Sequence, residues 1–270
     1  MTLHFQASIM EPLTHPHPLV VSIVSHGHGP MILQLLADLA RECQARCWVT
    51  RVVLTLNIPE PSPPLAGWPF TLELIHNKEP RGFGVNHNRA FAGATETYVC
   101  VLNPDVRLLA GEQVIEELTH AAGMHSVGMA YPGQVGEDGV AQDFERALPS
   151  PWALLRRHLS ARQLEGAEWV NAACLVVRRE VWEQLSGFDE RYFMYCEDVD
   201  LSLRVRLAGL TLTRVDAVVV HSGQRASRKS PRHLWWHIVS LLRLWRSPIF
   251  YKACRLLQPS TDDGTRIAPE

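Results

Sequence analysis

Carboxylates and aromatic side chains are interleaved in residues 187–200, which begin with a glycine turn signal. Glu197 and Asp198 follow the apolar run 193–196, so at least one of these carboxylates is expected beside apolar surface. A carboxylate in such surroundings can have a raised pKa and act as a general base. An acidic first turn of a helix, favoured by the helix dipole, is the alternative interpretation of the same pattern.

A second segment is an apolar, β-rich run at residues 98–102, which ends in Asn103-Pro104-Asp105. Pro104 has no N–H to donate to a sheet, so the strand is expected to stop there. Asp105 would then lie at the carboxyl end of a strand, where open α/β sheets bind ligands. Its carboxylate could hold Mg²⁺ or Mn²⁺ against a diphosphate, and a turn with a solvated aspartate is the alternative.

Together these segments resemble the inverting nucleotide-sugar glycosyltransferases of family 2, which have the GT-A fold. Residues 102–105 are similar to the Asn-Pro-Asp variant of the family's Asp-x-Asp motif, and residues 187–190 and 197–204 to its acceptor-side Glu-Asp motif. Further matches follow the family's order: Asn77 with Gly82, Phe83, Gly84 and Asn88, then His221, Ser222 and Gly223 with Ser227. The resemblance runs from about residue 20 to about residue 230.

This resemblance implies an enzyme that transfers a sugar, with inversion, from a nucleoside-diphosphate donor to a glycan or lipid-linked glycan. It implies that Asp198 is the general base, with Glu197 as the alternative. Asp105 is the first candidate ligand for Mg²⁺ or Mn²⁺, and His221 is the second. The Asn-Pro-Asp form is most similar to that of bacterial rhamnosyltransferases of surface polysaccharide assembly, so dTDP-rhamnose is the candidate donor.

Residues that could bind the donor lie beside these motifs. Arg225, with Arg228 and Lys229, follows His221 in a loop, and arginine can clamp phosphate oxygens; a solvated basic loop is the alternative. Arg81 precedes two glycines that would let the backbone approach a ligand closely. The full set of donor-binding candidates is Ser25, Asn57, Arg81, Gly82, Asn88, Asn103 and Arg225.

The chain also departs from the family pattern. Residues 25–28 stand where the family usually has Tyr-Asn, Asn57 stands where it usually has a base-reading Asp, and Asn171 stands where it often has Gly. These changes leave a second function open, a catalytically silent GT-A-like module that binds or scaffolds. A nucleotidyltransferase is disfavoured, because no Gly-rich loop with Arg or Lys follows the first predicted strand.

Composition limits the remaining classes. The 270 residues are 46% apolar and 20% charged, which is typical of one or two globular domains. The formal net charge of −2 provides no broad basic field for nucleic acid, so no nucleic-acid partner is expected. The six cysteines form no Cys-x-x-Cys pair, which argues against zinc and favours a reducing cytoplasm. No signal peptide or membrane-spanning run is recognisable.

Predicted strands alternate with predicted helices along residues 19–230, which indicates an α/β fold with a mostly parallel central sheet covered by helices. Strands are predicted at 19–24, 49–56, 70–75, 98–102, 127–131 and 169–177, and helices at 31–46, 86–94, 111–122 and 179–185. Residues 199–207 alternate with period two, yet we predict a helix there. Acidic residues begin the segment, Arg204 and Arg206 lie near its end, and Asp200 and Arg204 are spaced for an ion pair.

The domain organisation places a flexible segment at 1–18, the GT-A-like domain at 19–230, an amphipathic helical extension at 231–257 and a disordered tail at 258–270. In the extension, apolar and tryptophan side chains share one face and His233, His237 and Ser240 form a polar stripe. With its basic residues, this composition predicts a helix on anionic lipid, making the protein peripheral on the inner face of the membrane. A helix docked on the catalytic domain, or a dimer contact, is the alternative.

Overall fold

The structure is a computed structural model that describes residues 18–44, 48–150, 167–223 and 230–257. The expected tail at 258–270 and all but the last residue of the expected segment at 1–18 lie outside the described residues. So do Arg225, Arg228 and Lys229, the basic residues expected to bind phosphate.

An eight-stranded mixed sheet forms the centre of the molecule, in the order β3-β2-β1-β4-β9-β6-β10-β5. Neighbours pair in parallel from β3 to β4 and between β6 and β10, whereas β9 runs antiparallel to β4 and β6, and β5 antiparallel to β10. The strands are β1 Leu19–Ser25, β2 Val49–Leu56, β3 Thr71–His76, β4 Tyr98–Leu102, β5 Val106–Leu108, β6 Val127–Val135, β9 Cys174–Arg178 and β10 Thr211–His221. A separate pair joins β7 Glu145–Arg146 to β8 Trp169–Val170.

Helices cover both faces of this sheet, because the central strands are apolar on both sides and need cover on both. Buried side chains of α1 and α3 pack on one face, and those of α2, α4 and α5 pack on the other. These helices are α1 Gly29–Glu42, α2 Phe83–Phe91, α3 Val114–Gly123, α4 Arg179–Gln184 and α5 Glu197–Leu207. The predicted α/β architecture with a covered central sheet is confirmed.

The period-two segment is helical, as predicted. α5 begins at Glu197, and Asp200 Oδ2 accepts a hydrogen bond from Arg204 Nε at 2.7 Å. The ion pair and the helix dipole therefore outweigh the strand-like alternation. Apolar residues on several sides of α5 are buried, so they do not follow the spacing of a helix with a single buried face.

Two predicted strands need correction, and the C-terminal extension is described in more detail by the structure. The strand expected at 169–177 is broken, because residues 171–173 leave the strand direction to make the contacts described below. The strand expected at 127–131 is longer, because β6 continues to Val135 and the turn begins at residue 136. The extension at 231–257 is two helices, α6 Pro231–Trp245 and α7 Pro248–Leu256, with Ser247 capping the second through a 3.1 Å hydrogen bond from Phe250 N.

Helix α6 is docked on the domain by its polar side, while most of its apolar side chains face away from the protein. Ser240 and Leu244 are buried, whereas Leu234, Trp235, Ile238, Val239 and Leu242 are exposed. Helix α7 packs against α5 through Phe250 and Ala253. Within the described ranges, no helix combines the length and apolar character that crossing a bilayer would require.

Candidate active site

The carboxyl ends of the parallel strands meet at one edge of the sheet and bring together the metal-ligand candidates. Asp105 follows β4, and His221 ends β10, which pairs with β5 immediately after Asp105. The Nε2 atom of His221 lies 3.5 Å from Asp105 Oδ1, and both side chains retain only a small exposed fraction. Burial alone would raise the pKa of Asp105, but the hydrogen bond and charge of His221 outweigh it and the pKa is lowered.

A pair of side-chain amides fixes the proton position on His221. Asn171 Oδ1 accepts hydrogen bonds from Ala173 N at 3.3 Å and from Gln134 Nε2 at 2.7 Å, which orients both amides. Gln134 Oε1 then faces His221 Nδ1 at 3.1 Å. Since a carbonyl oxygen can only accept, Nδ1 carries a proton; Nε2 therefore donates to Asp105 when the ring is charged and presents a lone pair to it when the ring is neutral.

The pair Asp105 and His221 fits a divalent cation. A carboxylate oxygen and an imidazole lone pair that face each other at 3.5 Å repel unless a proton or a cation lies between them. Two protein ligands would leave the remaining positions to diphosphate oxygens and water, as is usual for Mg²⁺ and Mn²⁺. Across the described ranges, no cluster of three or more His, Cys, Asp or Glu side chains suits a metal. The donor would therefore have to complete the coordination.

The segment 171–173 connects this pair to the candidate base. Asn171 contacts Gln134, which contacts His221, while the backbone N–H of Ala172 hydrogen-bonds to the Asp198 carboxylate and favours its charged form. Asn103 N, next to the metal candidates, donates to Ala173 O at 2.8 Å. The broken strand thus places the candidate metal ligands and the candidate base on either side of one short turn.

Glu197 and Asp198 differ in exposure although they are neighbours. Asp198 is half-buried, and burial raises its pKa to about 6, opposed by the N–H groups around it and by the charge of Arg146. Glu197 is only 5% exposed, and its Oε2 has no hydrogen-bond partner among the described residues. Burial, and then the nearby charge of Asp198, hold the pKa of Glu197 well above its usual value. Of the two carboxylates, Asp198 is therefore the more accessible.

The loop before these carboxylates is held in an unusual backbone conformation. Tyr195 and Cys196 have φ angles of 71° and 67°, in the left-handed region that non-glycine residues seldom adopt. A Cβ on Gly82 would lie 2.7 Å from Phe193 O, so only glycine permits this approach. Phe83 N donates to the same Phe193 O at 2.9 Å, which ties α2 to the loop. The two glycine-containing motifs of the sequence therefore meet here.

Several donor-binding candidates are engaged within the protein. Asn57 Oδ1 accepts from Arg81 N, Asn77 Nδ2 and Asn86 Nδ2, and its Nδ2 donates to Arg81 O. Asn57 therefore fixes the backbone of Arg81, whose side chain is exposed. Asn88 makes two hydrogen bonds to the backbone of Phe188, at 2.8 and 2.9 Å, and so joins α2 to the acidic motif.

Ser25 leads to a carboxylate that the sequence interpretation missed. Its Oγ donates to Glu60 Oε2 at 2.8 Å, and Glu60 Oε1 accepts from Gly27 N at 3.1 Å. Beside them is a recess of about 480 Å³, lined by Gly27, Ile32, Leu33, Glu60 and four prolines, among others. The only sequence feature that could have marked Glu60 as a site residue was its position as a single acidic residue in a proline-rich loop. Gln134 lies inside a strand and had no such feature.

Comparison with known proteins yields bacterial relatives that include named rhamnosyltransferases. The chain is 28% identical over 274 residues to the N-acetylglucosaminyl-diphospho-decaprenol L-rhamnosyltransferase of Mycobacterium tuberculosis, covering 86% of this chain and 87% of the relative. It is 26% identical over 246 residues to the rhamnosyltransferase WbbL of Escherichia coli strain K12, covering 83% of this chain and 90% of that protein. No protein-family model matches the chain.

Solved structures show the same fold at lower identity. The mannosyltransferase PcManGT of Pyrobaculum calidifontis, in complex with GDP-Man and Mn²⁺, superposes with a TM-score of 0.60 at 17% identity, over 91% of this chain and 76% of that one. S. aureus TarS 1-349, in complex with UDP-GlcNAc, gives 0.57 at 12% identity, over 88% and 71%. These structures and the curated relatives confirm the predicted resemblance: the chain is a glycosyltransferase with the GT-A fold, similar to bacterial rhamnosyltransferases.

Proposed function

We propose that this chain transfers a deoxyhexose, with inversion, from a nucleoside-diphosphate donor to a lipid-linked glycan. The observation that carries the proposal is the turn 171–173, which joins a half-buried carboxylate, Asp198, to the facing pair Asp105 and His221. One side of the turn is suited to take a proton from an acceptor hydroxyl. The other is suited to neutralise a departing diphosphate.

Asp198 is the proposed general base. The acceptor hydroxyl oxygen attacks the anomeric carbon, its proton passes to the Asp198 carboxylate, and the bond from the anomeric carbon to the diphosphate oxygen breaks with its electron pair on the diphosphate. Attack on the face opposite the leaving group inverts the anomeric centre. A base with a pKa near 6 is ionised at neutral pH yet basic enough to assist the transfer.

Glu197 has a different proposed role. Burial raises the pKa of Glu197 and favours its neutral form, and in that form it cannot accept a proton and carries no charge that would compete with Asp198. This difference in burial supports Asp198 over Glu197 as the base, a choice that the sequence left open.

Asp105 and His221 are the proposed holders of Mg²⁺ or Mn²⁺. When bound, the cation supplies charge that stabilises the leaving diphosphate. Two observations support this: the pKa of Asp105 is lowered, and the contact of His221 Nδ1 with Gln134 leaves Nε2 facing Asp105. Crystallised GT-A neighbours that contain Mn²⁺ support the use of a divalent ion.

The relatives supply the proposed substrates. Two of them are named rhamnosyltransferases, which supports dTDP-rhamnose as donor, and one name specifies an N-acetylglucosaminyl-diphospho-decaprenol acceptor. A lipid-linked acceptor requires the enzyme to work at a membrane surface. The exposed apolar side of α6 supports peripheral contact of that kind, on the cytoplasmic face of the membrane.

A thermal-shift screen of nucleotide sugars, with and without Mn²⁺, tests donor binding. A donor that binds only the folded protein raises the melting temperature, and at about 100 times its Kd the gain is ~2.7 kcal/mol. We expect dTDP-rhamnose with Mn²⁺ to give the largest shift among dTDP-, UDP- and GDP-sugars. Equal, negligible shifts with every donor would contradict the proposal and favour a silent binding module.

A further inference from the structure

The polar stripe of α6 holds the loop that leads into the candidate base. His233 Nδ1 lies 2.9 Å from the hydroxyl of Tyr195, and Ser240 Oγ donates to Met194 O at 2.8 Å. The Trp236 ring packs on Phe193 with their centroids 4.8 Å apart, and His237 packs edge-on against Tyr195. Helix α6 thus contacts each residue from Phe193 to Tyr195, immediately before Cys196, Glu197 and Asp198.

This loop needs such support because its backbone is strained. Tyr195 and Cys196 are consecutive non-glycine residues with positive φ, and each costs of the order of 1 kcal/mol relative to an ordinary conformation. Two adjacent residues of this kind persist only where surrounding contacts hold them. The contacts on Phe193, Met194 and Tyr195 come largely from α6, together with the backbone hydrogen bond from α2.

The opposite side of α6 is apolar and exposed. Its side chains recur at helical spacing along one stripe: Leu234, Trp235, Ile238, Val239 and Leu242, with exposed fractions from 36 to 64%. Residues 231–257 include five basic residues and no Asp or Glu, and among the basic ones Arg232, Arg246, Lys252 and Arg255 are exposed. An apolar stripe with tryptophan and an uncompensated positive charge matches an anionic bilayer. A second copy of the same basic helix would be repelled by it.

We propose that α6 couples an anionic lipid surface to the active site, so that lipid contact with its outer stripe stabilises the strained loop 193–196 and thereby positions Asp198. Ser240, and His233 through Tyr195, are positioning residues in this account. The expected effect of lipid on turnover rests on the proposed function. The expected effect of lipid on the order of residues 193–196 does not depend on any reaction. Lipid can change the loop population only to the extent that it binds the ordered state more tightly.

The test compares the full chain with and without vesicles of phosphatidylglycerol mixed with phosphatidylcholine, using a water-soluble, short-chain acceptor so that substrate delivery does not depend on lipid. Hydrogen exchange of the amides of residues 193–198 is measured in the same samples. We expect anionic vesicles to slow this exchange and to raise kcat about fivefold, the response to a shift of about 1 kcal/mol in a two-state equilibrium. Neutral vesicles should do neither.

Two classes of variant separate binding from coupling. Ile238→Asp with Leu242→Asp should abolish vesicle binding and both responses while leaving lipid-free turnover unchanged; Met124→Asp, at an exposed apolar position outside the C-terminal helices, is the matched control. Ser240→Ala and Tyr195→Phe should still bind vesicles, yet lose most of the rise in kcat and of the slowed exchange. A mere loss of folding would instead lower the melting temperature and vesicle binding together.

Two results would overturn the proposal. The first is vesicle binding with unchanged exchange at 193–198, which would reduce α6 to a tether. The second is no binding of the native chain to anionic vesicles. If, in addition, the Ile238 and Leu242 substitutions dissociate a dimer in lipid-free solution, a second copy of the chain covers the stripe. If exchange responds to vesicles but no nucleotide sugar is ever consumed, the proposed function fails while the coupling stands.

Discussion

His221 Nε2 and Asp105 Oδ1 face each other at 3.5 Å across the end of the sheet, although β10 and β4 are far apart in the chain. Gln134 and Asn171 keep the imidazole proton on Nδ1, so the two facing atoms are both acceptors in the neutral state. A divalent cation resolves this repulsion, and the geometry therefore links metal binding to both residues.

The first prediction concerns this pair. Asp105→Ala should weaken donor binding at least about tenfold in the presence of Mn²⁺ and remove most of its dependence on Mn²⁺ concentration, because the main anionic ligand is lost. Titration calorimetry of the donor over a range of Mn²⁺ concentrations measures this. Asp216→Ala, at an exposed position on the same strand as His221, is the control and should behave as the native chain. Full metal dependence in Asp105→Ala would refute the assignment.

The second prediction concerns Glu197. Its folded pKa is raised above the usual 4.5, so the folded chain holds a proton that the unfolded chain releases. The contribution of Glu197 to the free energy of unfolding is fully present below pH 4.5 and is lost as pH rises towards the folded pKa. The loss is at most ~1.4 kcal/mol per pH unit. Glu197→Gln should lack this slope, match the native chain at pH 4, exceed its stability at pH 8 and keep turnover.

Urea unfolding at pH 4 to 8 measures the difference between Glu197→Gln and the native chain. Glu180→Gln, at an exposed carboxylate, is the control and should show no such difference. A lower stability of Glu197→Gln than of the native chain at pH 8 would contradict this prediction.

The third prediction concerns the approach of Gly82 to the loop. Gly82→Ala would place a Cβ 2.7 Å from Phe193 O and 3.0 Å from its Cα, so the loop must shift. We expect a loss of about 1–3 kcal/mol in stability and a larger relative loss in kcat, since Asp198 follows the loop. Gly29→Ala, where a Cβ meets nothing within 4 Å, should be nearly neutral. Thermal melting alongside steady-state kinetics distinguishes the two, and unchanged kcat in Gly82→Ala would contradict the account.

The fourth prediction concerns pH dependence. Asp198 must be ionised to act as base, and its pKa is raised to about 6. The value of kcat/KM should therefore be constant above pH 6. Below pH 6 it should fall about tenfold per pH unit, until the pH reaches the range where other groups titrate. Buffers that do not chelate metal are required, so that loss of metal to the buffer does not mimic this limb. A profile that is flat between pH 5 and pH 7 would exclude Asp198.

The sequence predicted those parts of the fold that depend on local pattern. Apolar runs located β1, β2 and β4, and charge placement identified α5 in spite of its strand-like alternation. It could not locate the break at Asn171, because that turn is made by a contact with Gln134 on another strand. Nor could it show that the polar side of α6 faces inward, since this depends on the tyrosine and carbonyl groups that the loop offers.

The candidate site also has parts that the sequence predicted and parts that only the structure shows. Asp105 and Asp198 came from motifs, and the structure brings their surroundings together through residues 171–173. The family resemblance favoured Asp198 over Glu197, but the sequence could not show which of these adjacent acidic residues is buried, because tertiary packing decides that. The base-binding role predicted for Asn57 remains a prediction, since its polar atoms are hydrogen-bonded within the protein.

The most direct test of the account is rhamnosyl transfer from dTDP-rhamnose to a polyprenyl-diphosphate-linked N-acetylglucosamine, measured for the native chain, Asp198→Asn and Glu197→Gln, with donor affinity determined for each. The account predicts an inverted product from the native chain, a loss of at least about 10² in kcat for Asp198→Asn with donor affinity retained, and near-native turnover for Glu197→Gln. Near-native turnover in Asp198→Asn together with a collapse in Glu197→Gln would contradict it.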